Sequence, residues 1–197
     1  MPSALILIAN GTEEMEFTIT YDTLVRAGVQ CTSALIHLDG TTGGSEYAEC
    51  SRGVRIIPDI EEKDLPVDVV GSYDAIIIPG GAKGAETLSQ KPVVQTLIRG
   101  FYEKKKIVGM ICAGSLAALT SGLPNQPLTS HPSVKEQLDR AFAYREDSVI
   151  VSNNLITSRG PGTAFPFAFT LVEKLCGLEK RKEVVGPMVF PSSASWV

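Results

Sequence analysis

Apolar and polar positions alternate along this chain in two rhythms. Short, nearly unbroken apolar runs are each followed by stretches whose apolar residues recur every three or four positions, the spacing of one helix face. Ala4–Ala9 (ALILIA) is the first run and reads as a strand covered on both faces. Asn10-Gly11-Thr12 turns the chain, Phe17, Tyr21, Leu24 and Val25 mark a helix face, and Gly28 stops that helix after Ala27. Val29–Leu38 predicts the second strand, Asp39–Ser45 a Gly- and Thr-rich loop, and Val54–Ile57 a further extended stretch. Tyr73–Ile78 (YDAIII) is another buried strand, running into Pro79-Gly80-Gly81; Val93, Leu97 and Ile98 then mark a helix ending near Lys106. Ile107–Ile111 is the next strand, broken at Cys112-Ala113-Gly114, after which Ala117–Leu119 continue as a helix to Gly122. Ser148–Thr157 predicts a hairpin turning at Asn153-Asn154, Thr163–Cys176 the last long helix, and Val189–Val197 a surface tail. This order predicts an α/β fold with a largely parallel central sheet flanked by helices. No repeat, low-complexity stretch or linker divides residues 1–197, so one domain is expected.

Composition changes this picture little. With 44% hydrophobic and 20% charged residues the chain resembles an ordinary globular domain. Net charge is −4, and the densest basic runs, Lys104-Lys105-Lys106 and Lys180-Arg181-Lys182, read as solvated helix ends, where cations suit the dipole. Nucleic acid is not expected as a primary partner. The first apolar run has no charged leader and is cut short by Asn10-Gly11, so it reads as a strand and not a signal peptide. No apolar stretch nears the ~20 residues that span a bilayer, and no membrane partner is expected. Cys31, Cys50, Cys112 and Cys176 are widely spaced with no CxxC pair, which predicts free thiols and a cytoplasmic protein. The only histidines are His37, placed in a strand, and His131, which leaves metal binding little support.

In open α/β sheets, ligands bind beyond the carboxyl ends of the strands. Three such ends carry candidate chemistry. At Cys112 an apolar strand passes directly into a small-residue helix start, Ala113-Gly114-Ser115, a strand–turn–helix that presents a nucleophile. The nearby helix N-terminus is expected to favour thiolate. A buried cysteine is otherwise a small apolar filler; the context at Cys112 favours the reactive reading, whereas the other three cysteines have no such context. At the first strand end, Gly11–Glu16 (GTEEME) places three glutamates in a first helical turn, which the dipole alone explains. Glu16, however, adjoins the apolar face and is placed to act as a partly desolvated proton carrier. The local pattern supports both readings. At the third end, Gly80 and Gly81 provide either simple loop flexibility or backbone at the substrate, with the Gly81 and Ala113 N–H groups directed at an oxyanion. His131, in Ser130-His131-Pro132, is a loop residue and a further candidate base.

Taken in order, ALILIANGTEEMEF, LVRAG, AECSRGV, YDAIIIPGGAKGAETL, ICAG, SHP and ITSRGPGTAF resemble the ThiJ/PfpI superfamily. The likeness is to its branch of the parkinsonism-linked protein and fungal glyoxalase III-like relatives. The resemblance implies a flavodoxin-like sandwich, with Cys112 as nucleophile, Glu16 as its partner carboxyl, Gly81 and Ala113 as oxyanion donors and His131 completing the site. It also implies a homodimer in which Arg52 approaches the neighbouring site, and a cytoplasmic protein with the nucleus as a second compartment. One departure is Ser115, where relatives often have Pro. The His-x-Glu pair of glutamine amidotransferases is missing after Cys112, and Ala113 replaces the His that follows the cysteine in the intracellular-protease and heat-shock-chaperone branches.

The implied activity is a cofactor-independent lyase of glyoxalase III type (D-lactate dehydratase), which converts methylglyoxal or a similar small reactive carbonyl to lactate through a Cys112 hemithioacetal. Protein deglycation is a related variant. The alternatives are a cysteine-based sensor of oxidative stress, in which the same thiol is oxidised, and a chaperone.

Overall fold

The computed structural model describes residues 1–37 and 46–194. The loop expected over Asp39–Ser45, the strand end at Leu38 and the last residues of the tail lie outside the described residues. β1 (Ser3–Ile8) leads into α1 (Glu14–Arg26) and β2 (Gln30–Leu35). Short strands β3 (Ala48–Glu49) and β4 (Arg55–Ile56) pair antiparallel before β5 (Ile60–Glu61) and the one-turn α2 (Val69–Ser72). β6 (Ala75–Ile78), α3 (Ala82–Gln90), α4 (Pro92–Glu103), β7 (Ile107–Ile111) and α5 (Leu116–Thr120) follow, with a 3-10 turn over Cys112–Ser115. After β8 (Pro127–Leu128), α6 (Lys135–Leu138) and β9 (Ala143–Tyr144) come β10 (Val149–Ser152), β11 (Leu155–Ser158), α7 (Ala164–Cys176) and α8 (Leu178–Val185).

The seven-stranded sheet runs β10-β11-β7-β6-β1-β2-β5 and is parallel throughout except for β10, which lies antiparallel to β11. α1 and α7 pack together against one face, and α3, α4 and α5 cover the other. This is the α/β sandwich expected from the alternation of patterns. Burial on both faces explains why β1 and β6 read as unbroken apolar runs: Leu5 to Ile8 and Ile76 to Ile78 are wholly buried. Each such side chain contributes about 1.5–3 kcal/mol. The chain leaves β1 for β2 on one side and later returns to β6 on the other. The crevice between the carboxyl ends of β1 and β6 is therefore the topological switch point, where this architecture binds ligands.

Several details depart from the sequence pattern. α3 has little apolar periodicity because its buried face is small, made of Gly84, Ala85, Leu88 and Ser89. α8 follows α7, so Thr163–Cys176 is not the last long helix. Lys180, Arg181 and Lys182 lie within α8, where they pair with Glu183, Glu173 and Glu179; of the three only Lys182 falls in its last turn. Lys104 does follow the end of α4. Val25, expected on the buried face of α1, is 47% exposed, whereas Phe17 and Leu24 are buried.

The small face of α3 brings its first turn onto the turn after β1. A Cβ at Gly84 would lie 2.6 Å from the Thr12 backbone N. Gly84→Ala must push α3 away from that turn, and the expected loss is about 1–3 kcal/mol in urea unfolding. A loss within ~0.5 kcal/mol would show that the contact has slack.

Candidate active site

The three strand ends meet at one point. Cys112 is the first residue after β7 and has φ +62°, a left-handed conformation that costs a residue with a side chain about 1–3 kcal/mol. Packing maintains it. A Cβ at Gly114 would lie 2.5 Å from the Ile78 carbonyl oxygen, so the turn rests directly on the end of β6. Gly80 opens the space above. A Cβ there would fall 2.5 Å from Cys112 Cβ, 2.9 Å from its Sγ and 2.7 Å from Glu16 Oε2. Only glycine lets thiol and carboxyl meet across that backbone. Gly81 has φ +85°, and a Cβ on it would strike the Gly11 carbonyl oxygen at 2.1 Å.

Glu16, in the first turn of α1, is wholly buried. Its Oε2 accepts the Gly80 N–H at 2.7 Å, and its buried Oε1 has no hydrogen-bond partner. Burial pushes its carboxyl up to about 7, with the Glu13 carboxylate acting in the same direction and the Gly80 N–H and Cys112 thiol opposing. Burial, then the Glu16 carboxyl, push the Cys112 thiol up to about 12, against hydrogen bonds from the Ala113 and Gly81 N–H groups. Burial here opposes the thiolate that the helix N-terminus was expected to favour. The neighbouring Glu16 carboxyl, pushed up to about 7, is the base within reach of the thiol proton. Cys31 and Cys50 are also raised, to about 12 and about 11, and Cys176 upward, in each case chiefly by burial. All four cysteines are free.

Other expectations are met only in part. Gly81 and Ala113 direct their N–H groups at the Cys112 sulfur, beside the place where an oxyanion would form. Gly80 does not join them, because its N–H is already taken by Glu16. The dipeptide Gly80-Gly81 carries no local sign of which amide points where. The His131 backbone N–H donates to the Cys112 carbonyl at 3.3 Å, but its exposed ring hydrogen-bonds to Ser133. The Ser133 N–H and Oγ lie at 3.2 and 2.8 Å from Nδ1, which turns the ring toward its own loop. Arg52 is exposed, and its guanidinium donates to the Ser51 carbonyl.

Two contributors were not found from the sequence. Ser115 is buried, and its Oγ donates to the Thr129 carbonyl at 3.0 Å, tying the loop before His131 to the cysteine turn with a bond that proline could not make. The first-turn glutamates also differ from one another. Glu13 caps α1, its Oε2 accepting the Glu16 N–H at 2.8 Å. Glu14 accepts from Ser51 Oγ and the Arg52 N–H, both at 2.7 Å, and so fixes the β3–β4 hairpin to α1. A cavity of about 420 Å³ beside β5, lined by His37, Leu65, Val69, Val93 and Leu97, contains neither Cys112 nor Glu16. Among the described residues no group of three or more His, Cys, Asp or Glu could hold a metal ion, and no helix is long and apolar enough to cross a membrane.

A family model described as the DJ-1/PfpI family matches residues 2–174. The chain belongs to this family. Within the DJ-1/PfpI family it is 38% identical over 195 residues to the glutathione-independent glyoxalase DJ-1 of Schizosaccharomyces pombe, covering 97% of this chain and 100% of that protein. It is 40% identical over 184 residues to protein dj-1beta of Drosophila melanogaster, covering 92% and 94%. The solved structure of Schizosaccharomyces pombe DJ-1 superposes with a TM-score of 0.90 at 38% identity, covering 96% of this chain and 100% of that one. A Toxoplasma gondii DJ-1 structure described as oxidized gives a TM-score of 0.85 at 28% identity, covering 96% and 99%.

The raised Glu16 carboxyl sets a stability test. Between the ordinary carboxylate range and about pH 7, folded Glu16 keeps a proton that the unfolded chain has released, so its contribution to stability falls as pH rises through that window. Glu16→Gln cannot ionise but keeps an acceptor for the Gly80 N–H. Its stability relative to wild type should rise by up to ~3 kcal/mol between about pH 4 and pH 8 in urea unfolding. A difference independent of pH would return Glu16 to the ordinary surface range.

Proposed function

We propose that this protein is a glutathione-independent glyoxalase of glyoxalase III type, a lyase that converts methylglyoxal to lactate with no organic cofactor or metal. The observation that carries the reading is the buried Glu16 carboxyl, raised to about 7 beside the Cys112 thiol, with the Gly81 and Ala113 N–H groups aimed at the sulfur. The likeness to the Schizosaccharomyces pombe protein named for that activity supports it. In the first step the Glu16 carboxylate takes the thiol proton as sulfur bonds to the aldehyde carbon. The carbonyl oxygen receives the displaced electron pair, is held by the two N–H groups, and takes back from Glu16 the proton it removed from the thiol, which completes a hemithioacetal and restores the carboxylate. Glu16 then removes the C1 hydrogen as a proton and passes it to the ketone oxygen, giving the enediol; transfer of the C1 hydroxyl proton to C2 through the same carboxylate leaves the thioester of lactate. Water cleaves the thioester, releasing lactate and restoring the thiol. Proton transfer falls to Glu16; the His131 ring is engaged with Ser133 through Nδ1. The same attack on a methylglyoxal adduct of a protein amine would be deglycation.

The test is lactate formed from methylglyoxal by purified protein without glutathione. Wild type should turn over and Cys112→Ser should not, since a hydroxyl is a far poorer nucleophile than a thiol with an adjacent base. Glu16→Gln should lose roughly 10²–10⁴ in kcat. Near-wild-type turnover in Glu16→Gln would leave the proton transfer unassigned. The unpartnered Glu16 Oε1 also favours a second reading as a peroxide sensor, since a protonated carboxyl there can donate to a Cys112 sulfinate. Oxidation of Cys112 by peroxide with no lactate formed from methylglyoxal would select it.

We also propose a homodimer. Met15, Val54 and Ile57 are 52%, 49% and 79% exposed, and Glu14, next to Met15, hydrogen-bonds the backbone of Val54 and of Arg52, which brings the exposed apolar Met15 and Val54 to the neighbourhood of Arg52. Light scattering at micromolar concentration should return twice the chain mass, and a clean monomer would remove any role for Arg52 at a second site.

A further inference from the structure

Three hydrogen bonds close a ring around the buried carboxyl. The Glu16 N–H donates to Glu13 Oε2 at 2.8 Å, the Glu13 N–H donates to the Gly80 carbonyl at 3.0 Å, and the Gly80 N–H donates to Glu16 Oε2 at 2.7 Å. The ring spans the switch point and locks the first turn of α1 to the connection between β6 and α3. Position 13 is the N-cap of α1, where the short side chains of Ser, Thr, Asp or Asn ordinarily serve. A neutral cap would satisfy the Glu16 N–H equally well. Glutamate adds a negative charge within one helical turn of a carboxyl that already has no water.

We propose that Glu13 is a positioning residue for the reaction described above. Its backbone N–H ties the start of α1 to Gly80, while its carboxylate caps the helix at the Glu16 N–H and places a negative charge beside the proton carrier. This rests on the reading of Glu16 as the proton carrier. The groups bearing on Glu16 are the Gly80 N–H from the β6–α3 connection, the Cys112 thiol from the end of β7, and Glu13 from its own helix; of these only Glu13 acts in the same direction as burial. Glu14, one residue along, turns the other way, to Ser51 and Arg52. Two adjacent glutamates of equal charge therefore form an internal control.

The experiment follows the Glu16 carboxyl directly, by carbon-13 NMR titration of glutamate side chains, with the Glu16 signal identified by its loss in Glu16→Gln. Glu13→Gln keeps a capping oxygen and removes the charge, so the Glu16 midpoint should move to lower pH than in wild type. Glu13→Ser, a neutral cap of the ordinary kind, should move it the same way and serves if Glu13→Gln folds poorly. Glu14→Gln makes the same change in net charge and should leave the midpoint in place. In turnover, the ascending limb of kcat against pH should shift to lower pH in both Glu13 variants, a change that loss of helix stability alone would not produce. An unmoved midpoint in Glu13→Gln and Glu13→Ser, or an equal shift in Glu14→Gln, overturns the proposal. The NMR arm needs no turnover, so failure of wild type to form lactate would refute the proposed activity while the role of Glu13 was still decided.

Discussion

A carboxyl group with no access to water, placed against a thiol, is the constraint on which the rest of this site depends. Glu16 is held by a single backbone N–H from a residue 64 positions away, and its second oxygen has no partner. An ionised carboxylate in that position is costly unless matched, so the group retains its proton to about neutrality. The backbone around it is shaped to permit the encounter. Gly80 clears the space that a side chain would fill, Gly114 lets the cysteine turn rest on β6, and Cys112 accepts a left-handed conformation to face the carboxyl. The strain at Cys112 is offset by the packing of β6 and β7, whose apolar residues are almost wholly buried.

The ionisation of the thiol is decided by magnitudes. Charge at a helix N-terminus is favoured by about 0.3–1 kcal/mol, and by ~2 at most, which is under two pKa units. Burial can move a group by 3–5 units the other way. Here the helix is short: α5 has five residues and begins only after a 3-10 turn, so its dipole is weak. Burial and the adjacent carboxyl both push the thiol upward, against the helix N-terminus. The arrangement suits a nucleophile that is deprotonated as it attacks, by a base whose pKa lies near the working pH.

The three glutamates after β1 show how one local motif separates into distinct roles. All three sit at the start of α1, where acidic residues are favoured by the dipole. Glu13 turns back to cap the helix, Glu14 reaches out to the β3–β4 hairpin, and Glu16 points inward to Gly80. Their differences come entirely from the partners that other parts of the chain supply.

The periodicity of apolar residues by itself determined the parallel sheet, the β10–β11 hairpin turning at Asn153-Asn154, and helices α1, α4 and α7, because strand and helix spacing are local properties of the backbone. It also located Cys112, Glu16, Gly81 and Ala113 at strand ends, since that is where open α/β sheets leave room for chemistry. α3 escaped because its buried face is nearly side-chain-free, and a helix that packs through Gly84 and Ala85 has no apolar stripe to read. Val25 lies toward solvent because only the position of α7 and the sheet decides which sector of α1 is covered. The use of the Gly80 N–H, the turning of the His131 ring to Ser133 and the upward push on the Cys112 thiol were decided by tertiary structure alone. Each depends on direction and desolvation, which arise when segments far apart in the chain close on one another and exclude water, and no spacing of residues along the sequence records either quantity.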